Sequence, residues 1–282
     1  MQDKALKTIY KCPVCQSGLT RQERQYACDK GHNFDISEKG YVNLLLASQK
    51  KTKDPGDSKE MMESRKSFLD KGYYTRLSEG LNRAAAFHIN EKSEYILDAG
   101  CGEGYFISKL KNKLSGEENK RDINYYGIDI SKSAIRYALK RDNSIYFAVG
   151  SNFSLPIIEG SCDCIIKIFA PGDDEEIYHV LKNNGKFIIV TPGIEHLFEL
   201  KEKLYERARK HEAKDSVPHG FRCIDHQEIQ YSISLQDHED IENLISMTPY
   251  YWSITRDMRN KISYITFLTT ALHFNIDVYS KI

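Results

Sequence analysis

The sequence predicts an α/β fold, a parallel sheet flanked by helices, with a small metal-binding module at its N-terminus. Three observations predict it. First, from residue 94 on, short apolar strands alternate with helical patterns, the spacing of βαβ units with right-handed crossovers. Second, Ile96-Leu97-Asp98-Ala99 runs into Gly100-Cys101-Gly102-Glu103-Gly104 and then Tyr105. That is a buried strand entering a glycine turn ahead of a helix, where backbone N–H groups can approach a ligand closely. Third, Cys12 and Cys15 form a C-x2-C pair, and Cys28 and His32 a C-x3-H pair twelve residues on. Three thiolates and an imidazole suit tetrahedral zinc and leave no coordination position open, so the site is structural.

Taken in order, residues 1–45 read as the zinc-binding module, residues 46–90 as linker and helices, and residues 91–282 as the main α/β domain. Leu19 and Tyr26-Ala27 among polar residues fit a small β-hairpin, and Lys30-Gly31 a turn before His32. Gly40–Leu46 reads as a strand or edge segment, and Gln49–Asp57, with its D-P-G turn, as a loop. Ser58 can cap a helix over Ser58–Leu69, although Met61 stands where a full capping box wants Glu or Gln. A second helix covers Tyr74–Ile89. Strands are expected at Tyr95–Asp98, Tyr125–Asp129, Ile145–Val149, Cys162–Phe169 and Gly185–Thr191, with helices at Tyr105–Leu114 and Lys132–Arg141. A charged helix is expected over Ile194–His211, and Ile276–Tyr279 as one of the final strands.

Composition excludes some classes. Apolar residues make up 40% and charged residues 28% of 282 residues, ordinary for a globular chain of about two domains. No apolar run approaches the roughly 20 residues of a membrane span, and Met1–Lys7 lacks a signal-peptide stretch, so a cytoplasmic location is expected. Net charge is zero, but residues 1–83 hold 16 Lys/Arg against 11 Asp/Glu, a mild pointer to a polyanion. Lys11, Arg21, Arg24, Lys30 and Lys39 lie among Tyr10, Tyr26, Phe34 and Tyr41, a pattern that serves RNA stacking or simply a small core. The seven cysteines lack a disulfide framework's spacing, and Cys101, Cys162, Cys164 and Cys223 read as buried thiols.

The glycine turn also says what it binds. A carboxylate at Asp98 repels phosphate and suits a ligand bearing an ammonium and a sulfonium, namely S-adenosylmethionine. Asp129, at the end of the next strand, can accept both ribose hydroxyls. In a parallel sheet the ligand lies at the carboxyl ends of the strands, which gathers Asp98, Gly100, Gly102, Asp129, Ser151 and Phe169–Pro171 around one cleft.

These residues resemble motif I of class I S-adenosylmethionine-dependent methyltransferases, a Rossmann-like fold. The wider set resembles the zinc-containing bacterial 23S rRNA (guanine-N1)-methyltransferases. It includes Cys12, Cys15, Cys28 and His32, Asp54-Pro55-Gly56-Asp57-Ser58, Gly127-Ile128-Asp129-Ile130-Ser131, Ala170-Pro171, Thr191-Pro192-Gly193 with His196-Leu197, and Met247-Thr248-Pro249. The resemblance implies methylation of guanine N1 in a hairpin loop near the peptide exit tunnel, S-adenosylmethionine as donor and zinc in the module. It implies donor contacts at Tyr74, Gly102, Glu103 and His196, and it admits a homodimer. One departure from general methyltransferases is that Asn152 offers a neutral amide where many carry a carboxylate near the adenine amine.

Guanine N1 carries a proton, so a base must take it. Asp173 and Asp174 after the fourth strand are candidates, although both can equally cap the next helix. His196 can also accept a proton. Tyr250-Tyr251-Trp252 can stack on bases, and Arg65, Lys66 and Lys71 can touch phosphate. Two other readings compete. One is a small-molecule methyltransferase with the zinc module as a lid; the other is a binding protein without turnover. If the modules are separate, chelation loosens residues 1–45 and leaves donor binding in place.

Overall fold

A computed structural model describes residues 6–50, 52, 55–115, 122–212, 216–248, 250–251 and 254–282. Met1–Ala5, Lys51, Lys53, Asp54, Pro249 and Trp252, which figure in the readings above, lie outside the described residues.

The module is a four-stranded antiparallel sheet of β1 (Leu6–Lys11), β2 (Gly18–Arg21), β3 (Gln25–Ala27) and β4 (Asn33–Asp35). The segment leaving it forms only β5 (Val42–Asn43), paired in parallel with β8 (Tyr146–Val149) of the main sheet. Two helices follow, α1 (Lys59–Asp70) and α2 (Thr75–His88). Ser58 caps α1 as expected, its hydroxyl accepting from Met61 N at 3.3 Å.

The main domain then runs β6 (Tyr95–Ala99), α3 (Tyr105–Leu114), β7 (Asn124–Asp129), α4 (Lys132–Arg141), β8, β9 (Cys162–Ile168), α5 (Asp174–Val180) and β10 (Leu181–Pro192). It finishes with α6 (Phe198–Leu204), β11 (Phe221–Leu235), α7 (His238–Ser246), α8 (Arg256–Ser263) and β12 (Leu268–Lys281). The eight strands are ordered β11-β12-β10-β9-β6-β7-β8-β5. β12 is antiparallel to both neighbours, and β5 to β10 are mutually parallel where they pair. Strand order reverses between β6 and β9, the switch point where an open α/β sheet binds its ligand.

Each face of the sheet has its own cover. On one face α1, α2, α3 and α4 bury Phe68, Leu77, Ile107 and Ile135 against Ile96, Ile166 and Phe274. On the other, the zinc module shares the cover with α5: Ile9, Tyr10, Leu19, Tyr26 and Leu44 of the module and Ile177 and Val180 of α5 pack with Leu97, Tyr126, Ile128 and Ile165. No helix joins β8 to β9. That connection pairs instead with β1, through Lys11 N to Pro156 O and Ile158 N to Ile9 O, both 2.8 Å.

Of the two roles the sequence allowed the module's aromatic residues, Tyr10, Tyr26 and Tyr41 take the core one: they are buried, and Tyr10 packs edge-on against Tyr26 and Tyr126, while Phe34 is partly buried. Two expectations are corrected. Cys223 is exposed, whereas Cys101, Cys162 and Cys164 are buried. The charged stretch Ile194–His211 is helical only over Phe198–Leu204. Gly193 N and Leu197 N donate to His273 O and Ala271 O of β12, so the segment turns along that strand before the helix can start. Leu197 is left-handed at φ 55° as a result. Among the described residues no helix is long and apolar enough to cross a membrane.

Candidate functional site

A cleft of about 600 Å³ opens at the carboxyl ends of β6, β7, β9 and β10. Tyr74, Asp98, Gly100, Gly102, Glu103, Asp129, Asn152 and His196 all line it, although they come from five separate stretches of chain.

The glycine loop works differently from a phosphate cradle. Gly100 N and Cys101 N donate to Ile128 O, Gly102 N donates to Asp129 Oδ2 at 2.9 Å, and Gly104 N donates to Cys101 O. Those N–H groups are spent on the fold and leave no nest for an anion. What the loop gives is room. Gly100 sits at φ 88°, and a Cβ there would stand 2.3 Å from Ala170 Cβ and 3.0 Å from Asn152 Nδ2.

The carboxylates around the loop divide their work. Asp98 is 2% exposed, and its Oδ1 has no hydrogen-bond partner among the described residues. Burial, and then the charge of Asp129, hold its carboxyl well above the usual range. A buried, unsatisfied carboxylate beside an open cleft is the counterpart of a cationic ligand. Asp129 accepts from Gly102 N and Ser131 N, one bond per oxygen, and each oxygen keeps a lone pair for a ribose hydroxyl. Glu103 is held by Arg141 through contacts of 2.5 and 2.7 Å. Its Oε1 has no partner among the described residues, and burial outweighs the arginine to hold its carboxyl above the usual range. Asn152 Nδ2 donates to Pro171 O, and its backbone carbonyl accepts from Asp173 N, so this residue joins the loop after β8 to the loop after β9. Its Oδ1 is buried without a hydrogen-bond partner among the described residues.

Two bulky residues with left-handed backbone face this cleft, Phe169 at φ 52° and Leu197 at φ 55°. Strained backbone of this kind persists where surrounding structure enforces it, and it concentrates at functional sites. Phe169 is 43% exposed, and its ring lies nearly parallel to His196 at 6.2 Å. His196 is buried, and burial pushes its imidazole down to about 3, so it is neutral. Its Nδ1 accepts from His273 N at 3.3 Å.

Asp173 and Asp174 lie apart from the cleft lining. Asp173 caps α5 by accepting from Glu175 N, and Asp174 pairs with Lys167. The structure therefore assigns both the helix-terminal work that their sequence context also allowed. Arg65, which reads as a phosphate contact on sequence, is in the cleft wall: it pairs with Asp57 at 2.7 Å and donates to Met247 O at 3.0 Å. Lys66 and Lys71 pair with Asp70 and Asp240. Tyr250 also lines the cleft. Sequence reasoning missed Met61, which lines the cleft, and His211, which fell inside an expected helix.

The metal centre is preformed. The ligand atoms of Cys12, Cys15, Cys28 and His32 all lie within 4.8 Å of one another. Zinc bonds of ~2.3 Å to sulfur and ~2.0 Å to nitrogen set tetrahedral ligands about 3.8 Å (S–S) and about 3.5 Å (S–N) apart. Here Cys15 Sγ to Cys28 Sγ is 3.7 Å, and Cys28 Sγ to His32 Nδ1 is 3.4 Å. The Ser17 hydroxyl, 3.0 Å from Cys15 Sγ, helps bring that thiol down to about 6, which favours the thiolate a metal needs.

Asp98, read as a donor contact, carries a pH signature. Its raised folded pKa means that it binds a proton more readily folded than unfolded. In the donor-free protein it therefore costs stability as pH rises from the ordinary carboxylate range through that raised value. A bound ammonium favours the ionised form. Donor affinity is thus expected to fall as pH drops through the raised value, with a proton released on binding. Calorimetry in buffers of different ionisation enthalpy checks this: release in mildly acid buffer, lost in Asp98→Asn. Proton uptake, or release that persists in the variant, would remove Asp98 from the site.

Strand order, glycine loop, orphaned carboxylate and the aspartate closing β7 are those of a Rossmann-like S-adenosylmethionine-dependent methyltransferase of class I, with a Cys3His zinc ribbon on one face. The chain belongs to the methyltransferase-domain family, whose model matches residues 90–248, and residues 10–53 match the RlmA N-terminal zinc ribbon. A 23S rRNA (guanine(748)-N(1))-methyltransferase of Streptomyces fradiae is 29% identical over 86% of this chain and 85% of its own length. A malonyl-[acyl-carrier protein] O-methyltransferase of Hahella chejuensis is 30% identical over 38% of this chain and 39% of its own. The solved YcgJ protein of Bacillus subtilis has a TM-score of 0.46 at 17% identity, covering 73% of this chain and 98% of that one.

Proposed function

We propose that this protein transfers a methyl group from S-adenosylmethionine to N1 of a guanine in a hairpin loop of 23S rRNA near the peptide exit tunnel. The observation that carries this reading is that likeness to the Streptomyces fradiae enzyme covers 86% of this chain, whose residues 10–53 also match the RlmA N-terminal zinc ribbon. Likeness to the O-methyltransferase is confined to a stretch of 116 residues. Residues 1–45 then recognise RNA, residues 46–90 link, and residues 91–282 carry the transfer, in the cytoplasm where ribosomal RNA is. A homodimer holding the hairpin between two modules belongs to the same reading.

The cleft divides accordingly. Asp98, Gly100, Gly102, Asp129 and Asn152 form the donor end, with Tyr74, Glu103 and His196 as further contacts. S-adenosylmethionine supplies an electrophilic methyl on a sulfonium. The chain's own contribution is alignment, which turns a bimolecular displacement into an intramolecular one. The half-exposed Phe169 ring, with the carbonyls of Ala170 and Pro171 beside it, forms a platform for a base taken out of its stack.

The test is incubation with labelled donor and 23S rRNA from a strain lacking the gene, mapped by primer extension, since N1-methylguanine blocks Watson–Crick pairing. The expected result is a single stop at one guanine of the hairpin. Unlabelled RNA despite bound donor would turn the reading to a small-molecule acceptor, with the zinc ribbon as a structural wall.

A further inference from the structure

Transfer to guanine N1 requires a base, and the cleft narrows the choice. Asp57 is paired with Arg65, and Glu103 with Arg141. Asp129 holds the glycine loop, and Asp98 lies at the donor end, where a proton acceptor would be answering the donor's own cation. Asp173 and Asp174 are occupied outside the cleft. His196 accepts from His273 N through Nδ1, so in its neutral form Nε2 carries the proton. It can donate to a base and cannot take a proton from one.

His211 is the other imidazole in the wall. Its ring centre is 6.1 Å from that of His196. The ring lies beside the His196 backbone, and its Nε2 is buried with no partner among the described residues. A neutral imidazole that carries its proton on Nδ1 offers a lone pair on Nε2. Burial, and then the Lys201 ammonium, hold the ring neutral at neutral pH. The groups facing it are His196 and Lys201, and the neighbouring Lys210 is paired with Glu195 at 2.7 Å. The carrier segment is fixed: Tyr205 N donates to Lys201 O, Lys201 Nζ to Arg209 O at 3.1 Å, and His211 N to Ile194 O.

We propose, resting on the reading above, that His211 Nε2 accepts the guanine N1 proton during methyl transfer. The N1–H bond breaks and its proton passes to Nε2. The electron pair left on N1 forms the bond to the methyl carbon, and the S–C pair leaves with sulfur. The donor's positive charge thereby reappears on His211, and release of that proton to water resets the site.

The test is single-turnover methylation of 23S rRNA at saturating donor, followed from about pH 5 to about pH 9. The wild-type rate is expected to rise with pH and level off once His211 is neutral. His211→Ala is expected to lose about 10²- to 10⁴-fold in rate. Its remaining rate should climb through the alkaline range, as N1–H ionises unaided. Donor affinity and melting temperature, read on the same variant, should stay near wild type, and His211→Gln should repeat the kinetic loss. A rate within about threefold of wild type, or an unchanged acid limb, overturns the proposal. A wild-type methyl on guanine N7, which has no proton to lose, would overturn the proposal and the N1 reading together. Loss confined to the His211 variants separates the two.

Discussion

Gly100→Ala is expected to strip the protein of donor binding and lower its stability. The position is at φ 88°, where a residue with a side chain costs roughly 1–2 kcal/mol. The new methyl would also stand 2.3 Å from Ala170 Cβ, on a loop that Asn152 holds in place through Pro171 O. Overpacking of this kind costs about 1–3 kcal/mol. The two effects sum to about 2–5 kcal/mol, or roughly 4–20 °C in melting temperature for a domain this size. The only relief is to push apart the two loops that bound the cleft, so donor affinity falls with stability. Gly160→Ala is the control. It is also left-handed, at φ 59°, but with nothing within 4 Å of the added carbon, so it isolates backbone strain. Calorimetric donor binding and thermal melts of both variants decide it. If Gly100→Ala binds donor like wild type, contact between the two loops does not shape the site.

Zinc removal is expected to weaken the whole protein rather than to loosen a separate module. Structural zinc contributes on the order of 10–16 kcal/mol in isolated finger peptides at neutral pH. Here the four ligands close a sheet whose Tyr10, Leu19 and Tyr26 share one cluster with Leu97, Ile128 and Ile165 of the main sheet. The module also supplies β5 to the edge of β8 and pairs β1 with residues 156–158, just past the cleft loop Ser151–Ser154. Chelation or Cys28→Ser should therefore lower the melting temperature in one transition, with faster amide exchange in β7 and β8 and weaker donor binding. The opposite pattern is exchange rising only within residues 6–45 with donor affinity unchanged. That pattern would restore the picture of two independent modules.

Much of the site is legible because it is local. The four zinc ligands fall within 21 residues, and Asp98 with its glycines within seven. Spacing alone puts such groups on one turn, whatever the rest of the chain does. The strands of the main domain are equally readable, since β6, β7 and β9 are buried apolar runs bounded by turns. The role of the loop's N–H groups is not legible, because Ile128 O and Asp129 Oδ2, which consume them, come from another strand.

The same reasoning explains the misread helix at Ile194–His211. Its composition is helical, and nothing in the stretch announces a break. Bonds to Ala271 and His273, more than seventy residues away, override local propensity, and only then do His196 and His211 come side by side in the cleft. By itself, then, the sequence determined the zinc centre, the donor loop and the positions of strands β6 to β10 along the chain, because each depends on residues close together in the chain. Tertiary structure alone decided that the zinc ribbon covers part of one face of the sheet. It also decided which side chains from distant segments line the cleft. Both rest on hydrogen bonds and apolar contacts between distant segments, which no local pattern records.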